Sequence, residues 1–275
     1  MITFIDTHAH LDGEEYAEDR DEVVARARQA GVSHIFIPAI DLPSTQTVLD
    51  TCARYPGFAY PMLGLHPEEV RADWKDVLSK IKDIILYPNR SSITSQLSSL
   101  TTPVIAIGEV GLDYYWSREF EKEQLAAFEE QVLWSIETRL PLMIHCRKAQ
   151  NEMVALLRRY ERDLPGGVFH CFTGNEHEAA GLLQFDHFVL GIGGVLTFKK
   201  SHLPEVLPQC VPLSRIVLET DAPYMAPVPM RGKRNESAFV EYVLHRLSEC
   251  YGVSPDVVAQ QTNENVERIF NVKLL

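Results

Sequence analysis

The sequence predicts an α/β fold of the (β/α)8 TIM-barrel type, one domain over residues 1–275, and three observations carry that prediction. Short apolar or β-branched runs recur along the chain, helical patterns fall between them, and 275 residues suits a closed barrel of eight such units. The runs lie at about 3–7, 33–40, 58–65, 103–109, 141–146, 166–171, 187–192 and 214–221. Most lack polar alternation, the pattern of strands covered on both faces of a parallel sheet. An open doubly wound sheet predicts the same alternation of elements and is the competing architecture.

The helical patterns follow in order. Asp21–Ala30 is rich in Ala, Val and Arg, and Ser44–Tyr55 opens on Ser44 as a plausible N-cap. One helix fits within 71–102, although Asn89-Arg-Ser-Ser and 98–102 read as irregular loop. Glu119–Arg139 is the longest, with Phe120, Leu125, Phe128, Val132, Leu133 and Ile136 marking one face. Gln150–Glu161, Glu176–Phe185, a proline-interrupted Lys199–Cys210, Ser237–Tyr251 and a tail at about 254–271 complete the set.

Composition narrows the function class. Apolar residues make up 45% and charged residues 23%, as in an ordinary globular protein. No apolar run approaches the roughly 18 residues that span a bilayer, and no basic n-region precedes an apolar stretch at Met1–Asp6, so neither a membrane segment nor a signal peptide is expected. Five cysteines (Cys52, Cys146, Cys171, Cys210, Cys250) without CxxC spacing point to reduced thiols and a cytoplasmic protein. A formal charge of −12 argues against a broad nucleic-acid-binding surface, so any polyanion must be drawn to a local cationic site.

Such a site is suggested by where the ligand-type residues fall. His8 and His10 follow the first expected strand; Glu109 ends the fourth, His145 the fifth, His170 the sixth and Asp221 the eighth. In a barrel those ends converge on the face where active sites are built. Residues i and i+2 of a strand point the same way, so His8 and His10 can bind one ion together. Four imidazoles and two carboxylates suit zinc, manganese, nickel or iron, and magnesium less naturally. They are too many for one tetrahedral catalytic ion, and two ions sharing a carboxylate fit better. Two divalent ions on two carboxylates leave about +2, an anion attractor inside an acidic chain. Each histidine alone reads more readily as a structural residue; it is the six together that indicate chemistry.

Softer candidates surround them. His66, in Gly64-Leu-His-Pro67, is either a substrate contact or a loop residue. Arg147 and Lys148 after His145, and Arg231 and Lys233 in Arg231-Gly-Lys-Arg234, are basic groups suited to phosphate or to a solvated loop. Asp6 and Glu219 lie deeper on the ligand faces, as buried polar groups or as partners of ligands. Strand alternation turns Cys146 and Cys171 into the core. Tyr114, Tyr115 and Trp116 offer stacking to a terminal base, with packing the plainer role.

Together these residues resemble the TatD family of metal-dependent hydrolases, within the amidohydrolase-type barrels. The resemblance runs through Phe4-Ile-Asp-Thr-His-Ala-His-Leu-Asp12, Gly64-Leu-His-Pro67, Ile107-Gly-Glu-Val-Gly-Leu-Asp-Tyr114 and Leu142-Met-Ile-His-Cys-Arg147. It continues through Phe169-His-Cys-Phe-Thr-Gly174, Leu218-Glu-Thr-Asp-Ala-Pro-Tyr224 and Arg231-Gly-Lys-Arg-Asn235, in family order across essentially the whole chain. It implies a (β/α)8 barrel and two divalent ions, one on His8, His10, Glu109 and Asp221 and the other on Glu109, His145 and His170. It also implies deoxyribonuclease action, often 3′→5′ on single strands. Ser237, where the family often has Pro, and a long 86–102 segment depart from the pattern, and both bear on the substrate rim.

The function expected is therefore metal-dependent phosphodiester hydrolysis of DNA, at single strands or 3′ ends. In it Asp221 accepts a proton from the attacking water, Glu109 bridges, and His66, Arg147, Lys148, Arg231 and Lys233 contact substrate. No membrane and no obligate protein partner is expected. Hydrolysis of an amide, ester or lactone by the same centre is the alternative, since fold does not choose between them. A non-catalytic metal- or nucleic-acid-binding protein is the third reading.

Overall fold

The computed structural model describes residues 2–87 and 102–271. Its strands are β1 (Phe4–Asp6), β2 (Val32–Pro38), β3 (Ala59–Leu63), β4 (Ala106–Asp113), β5 (Leu142–Arg147), β6 (Gly167–Phe169), β7 (Phe188–Ile192) and β8 (Ile216–Leu218). The helices between them are α1 (Arg20–Ala30), α2 (Leu42–Arg54), α3 (Trp74–Leu86), α4 (Glu121–Thr138), α5 (Gln150–Arg158), α6 (Glu176–Leu182) and α7 (Leu203–Cys210). Helices α8 (Val240–Tyr251) and α9 (Pro255–Phe270) follow β8. The sheet order is β1-β2-β3-β4-β5-β6-β7-β8, each strand beside its neighbour in sequence. That order lacks the reversal of a doubly wound sheet, and every connection carries a helix: it is the (β/α)8 TIM-barrel fold.

Contacts divide the chain into two compact units, Met1–Phe36 with Val168–Leu275, and Ile37–Gly167. In the first, β1 pairs in parallel with the start of β2 (Ile5↔His34, Asp6↔Ile35) and β7 with β8 (Leu190↔Ile216, Ile192↔Leu218). The last strand returns to the first: Thr7 N–H donates to Leu218 O (3.0 Å), Asp221 N–H to His8 O (2.9 Å), and Ala9 bridges Ala222 in parallel. Helix α9 is tied beneath them by Asn263, which donates to Thr3 O (2.9 Å), and Asn265, which donates to Ile216 O (2.7 Å).

In the second unit β3 pairs with β4 (Met62↔Ala106) and β4 with β5 (Val110↔Ile144, Gly111↔His145), all parallel. Gly111 has φ +143°, and a Cβ there would collide with His145 O, so only glycine lets β4 and β5 approach beside that histidine. Helix α4 packs on β4 with Phe128, Val132 and Trp134 fully covered. Its Gln124 accepts from Asp113 N–H (3.0 Å) and donates to Asp113 O (3.1 Å), satisfying backbone groups at the end of β4.

Several boundaries differ from the sequence reading. Helix α2 is capped by Asp41, which accepts from Ser44 N–H (2.7 Å) while Ser44 Oγ accepts from Asp41 N–H (2.8 Å). Ser44 is thus the third helical residue of a reciprocal capping box rather than the cap, and Pro43 sits in the first turn, where its missing N–H costs nothing. Helix α7 starts at Leu203, not Lys199, for the same reason at Pro204. Strand β4 runs four residues beyond Glu109, which therefore lies inside the strand and not at its end. The irregular loop expected at 89–102 falls almost wholly outside the described residues. Among those described, no helix is long and apolar enough to cross a membrane, and no disulfide joins any of the five cysteines. Cys146 and Cys171, expected in the core, are half-buried.

Candidate metal centre

In the first unit, β1 and the chain beyond β8 present one set of donors. His8 Nε2 lies 3.3 Å from His10 Nε2, and both nitrogens are 3.8 Å from Asp221 Oδ1. The His170 ring, just past β6, stacks on His8 with centroids 4.1 Å apart, and donor atoms of His8, His170 and Asp221 lie within 4.8 Å of one another. Metal bonds of about 2.0–2.2 Å in tetrahedral geometry place donors roughly 3.3–3.6 Å apart. The nitrogen pair at 3.3 Å meets that spacing and the carboxylate oxygen at 3.8 Å stands just outside it, close to what a divalent ion needs.

The residues beneath set this geometry. Asp6 is fully buried and accepts from Thr220 N–H (2.9 Å) and Thr220 Oγ–H (2.7 Å), locking β1 to the segment that carries Asp221. Burial raises its carboxyl to about 6, against the pull of hydrogen bonds from Ser237, Thr220 and His8. Asn235, also buried, donates to Thr220 O (2.9 Å) and Tyr224 O (2.6 Å), carbonyls on either side of Asp221. That clamp holds Asp221 at φ 55°, a left-handed conformation an aspartate seldom adopts. Glu219 Oε1 accepts from Cys171 N–H and stands 3.9 Å from His170 Nδ1. Its Oε2 presses on Gly191, where any Cβ would collide with it. Burial is the main force that lifts Glu219 to about 8, with the charge of His170 opposing.

In the second unit the donors are Glu109, His145, His66 and Asp113. The β4–β5 register slips between Ile107 and Val110, and such a bulge re-aims the side chain it carries, here Glu109. Glu109 Oε1 lies 3.0 Å from His145 Nδ1 and 3.3 Å from His66 Nε2. On its other side His145 Nε2 meets Asp113 Oδ2 at 2.9 Å. Burial works against charge on His145, yet the hydrogen bonds to Asp113 and Glu109 prevail and lift it to about 9. Asp113 is buried too, but His145 and the Tyr115 N–H hold it below the ordinary carboxylate value.

Two of these positions read differently once hydrogen bonds are followed. His66 Nδ1 accepts from Glu68 N–H (3.2 Å), so its proton is on Nε2, pointing at Glu109. In that tautomer His66 orients Glu109 instead of offering a lone pair to an ion. Asp113 went unassigned from the sequence; its only signal was the even spacing from Glu109 along one strand, which puts both on one face.

Among the basic candidates, Arg147, Lys148, Arg231 and Lys233 are exposed. The Arg147 guanidinium lies 3.7 Å above the Tyr115 ring, and that of Arg231 4.0 Å above Phe198. Arg234, in the same loop as Arg231 and Lys233, is engaged by Asp19 (2.6 and 2.9 Å) and packs over Tyr16.

Residues 5–271 match the family described as TatD related DNase. An uncharacterized metal-dependent hydrolase of Bacillus subtilis strain 168, YabD, is 33% identical over 97% of this chain and 98% of its own. The 3′-5′ ssDNA/RNA exonuclease TatD of Pectobacterium carotovorum is 31% identical over 97% of this chain and 99% of its own. The crystal structure of the TatD homologue YJJV of Escherichia coli K12 is similar with a TM-score of 0.86 and 30% identity, covering 99% of this chain and 100% of that one. A phosphotriesterase homology protein of Escherichia coli, at 15% identity and a TM-score of 0.67, shares the fold. With matches spanning nearly its whole length and a donor set fit for divalent ions, the chain belongs to the TatD-related DNase family and is a metal-dependent hydrolase.

Proposed function

We propose that this hydrolase cleaves phosphodiester bonds in single-stranded nucleic acid, DNA foremost, working from 3′ ends. The observation that carries the reading is the convergence of His8 Nε2, His10 Nε2 and Asp221 Oδ1 at 3.3–3.8 Å, a cation site in a chain of formal charge −12. Relatives named as 3′-5′ ssDNA/RNA exonucleases support the choice of substrate. In this reading the chain is a single domain acting in the cytoplasm, with two divalent ions (Zn, Mg, Mn or Ni) and no obligate protein partner.

His8, His10 and Asp221 hold one ion in the first unit, with His170 beside them; Glu109 and His145 serve in the second. Ions bound there supply Lewis acidity, which polarises a phosphoryl oxygen and acidifies water. Asp221 presents Oδ1 to both imidazoles, and its carboxylate takes the proton of the attacking water. Asp113 keeps the Nε2 proton of His145 and so leaves Nδ1 as the donor. Arg147, Lys148, Arg231 and Lys233 neutralise phosphates, and His66 fixes Glu109.

The test is a substrate panel with metal-loaded protein: single-stranded DNA, bis-p-nitrophenyl phosphate and p-nitrophenyl esters. Phosphodiester turnover that stops on chelation is expected. Metal-dependent ester turnover with none of phosphodiesters would overturn the reading in favour of acyl hydrolysis. The resemblance also assigns Glu109 to both ions. Glu109→Ala is then expected to lose at least a hundredfold in activity, with bound metal reduced; full metal content and undiminished turnover would refute that role.

A further inference from the structure

We propose that Tyr115 and Trp116 form a stacking platform for an unpaired nucleobase, and that this platform, not a basic groove, selects single-stranded substrate. The proposal rests on the phosphodiesterase reading above and names how its substrate is held. Three consecutive aromatics follow β4, and they divide sharply. Tyr114 is buried, whereas Tyr115 is 50% and Trp116 66% exposed. The division follows from β4 ending at Asp113: past that point the side chains no longer alternate into a covered layer.

Their arrangement is specific. The two rings meet edge to face with centroids 4.8 Å apart, and the Arg147 guanidinium lies 3.7 Å from the Tyr115 centroid and 5.2 Å from that of Trp116. An exposed aromatic pair under an exposed cation is what a base and its phosphate need together: a π-face to stack on and a charge for the backbone. The platform is also wired to the second unit's donors. Tyr115 N–H donates to Asp113 Oδ1 (2.8 Å), the carboxylate whose other oxygen meets His145 Nε2 at 2.9 Å, and Arg147 is two residues beyond His145. Two residues of backbone span at most about 7 Å, so Arg147 and His145 leave β5 from neighbouring positions, and Tyr115 is two residues from Asp113 on β4. Stacking also suits the acidic balance of −12, because it attracts a base without a broad cationic surface. A base in the interior of a duplex has both faces covered by its stacked neighbours and is rejected.

The experiment compares two oligothymidylates, one intact and one abasic over its 3′-terminal nucleosides, on wild type, Trp116→Ala, Tyr115→Ala and Trp116→Phe. Wild type is expected to prefer the intact strand by about tenfold or more in kcat/KM, carried by KM. The alanine variants bring that preference towards one, and Trp116→Phe, which keeps a π-face, restores most of it. A short phosphorothioate oligothymidylate should quench the tryptophan fluorescence of wild type, and Trp116→Phe should abolish the quenching while retaining affinity. An undiminished preference in both alanine variants, or binding with no quenching, overturns the platform. If wild type cuts neither strand, the phosphodiesterase reading falls, and the fluorescence titration alone decides whether an unpaired base binds here.

Discussion

An imidazole offers a cation one lone pair, so what its other nitrogen touches decides whether it is a ligand or a support. His145 and His66 both reach Glu109, yet they differ in this respect. The far nitrogen of His145 faces the Asp113 carboxylate at 2.9 Å, which keeps a proton there, so Nδ1, 3.0 Å from Glu109, is the nitrogen that would bind an ion in exchange for its proton. The far nitrogen of His66 accepts a backbone N–H, which puts the proton on the side facing Glu109. Asp113→Asn therefore reverses the logic at His145: an amide N–H set against Nε2 needs a lone pair there and forces the proton onto Nδ1. Metal affinity and activity are expected to fall about 10–100-fold with the fold intact, the range for losing such a carboxylate. Metal titration by calorimetry beside circular dichroism checks it. Wild-type affinity would show that Asp113 does not set the tautomer.

At the scale of elements, three of the six non-glycine residues with positive φ among those described follow strands, Lys148 at φ 58°, Cys171 at φ 50° and Asp221 at φ 55°, whereas Arg139 and Asn271 cap helices. Cys171 follows the proposed ligand His170 and Asp221 is one itself, while Lys148 follows Arg147, a proposed phosphate contact, so the strain is stored where the chain turns sharply to present a functional side chain. Lys148→Gly separates strain from function. Removing the Cβ relieves roughly 1–2 kcal/mol and added chain entropy returns roughly 0.5–1, so thermal unfolding should show a net gain of up to about 1.5 kcal/mol. KM for an oligonucleotide should rise, since the ammonium is gone. A loss of stability would show that Lys148 is not strained. Strand β2 carries a different dependence. His34 is buried beside Ser33 Oγ (3.0 Å), and burial holds its pKa below 6.5. Below about pH 6.5 the unfolded chain takes up a proton that the folded one refuses, so stability falls as pH falls. His34→Gln should flatten the denaturant-measured stability profile between about pH 7 and 5; an unchanged slope would assign the acid sensitivity elsewhere.

For the molecule as a whole, eight apolar runs and the helices between them were legible because burial on two faces leaves a local periodic mark. So was the placing of His8, His10, His170 and Asp221 just beyond β1, β6 and β8 in the first unit, which needs only strand order; His145, expected at the end of β5, lies two residues inside it. What was not legible is what depends on register or on distant pairing. The bulge that sets Glu109 inside β4 has no local signature. The Asp113–His145 pair needs β4 and β5 side by side, and the claim of Asp19 on Arg234 joins residues 215 positions apart. That ion pair also limits how the acidic chain can meet a polyanion, since it leaves Arg147, Lys148, Arg231 and Lys233 as the proposed cationic contacts. On a single strand each neutralised phosphate contributes about −0.7 to the slope of log affinity against log salt, so four contacts give about −3 at the steepest. Screening of the repulsion from a formal charge of −12 makes the slope shallower still. Affinity for a phosphorothioate oligothymidylate, measured from 50 to 200 mM KCl with the ions present, should therefore fall only mildly. A slope of about −5 or steeper would mean that the strand lies along a basic track which these four residues do not make, and would move the source of affinity from local contacts to an extended groove.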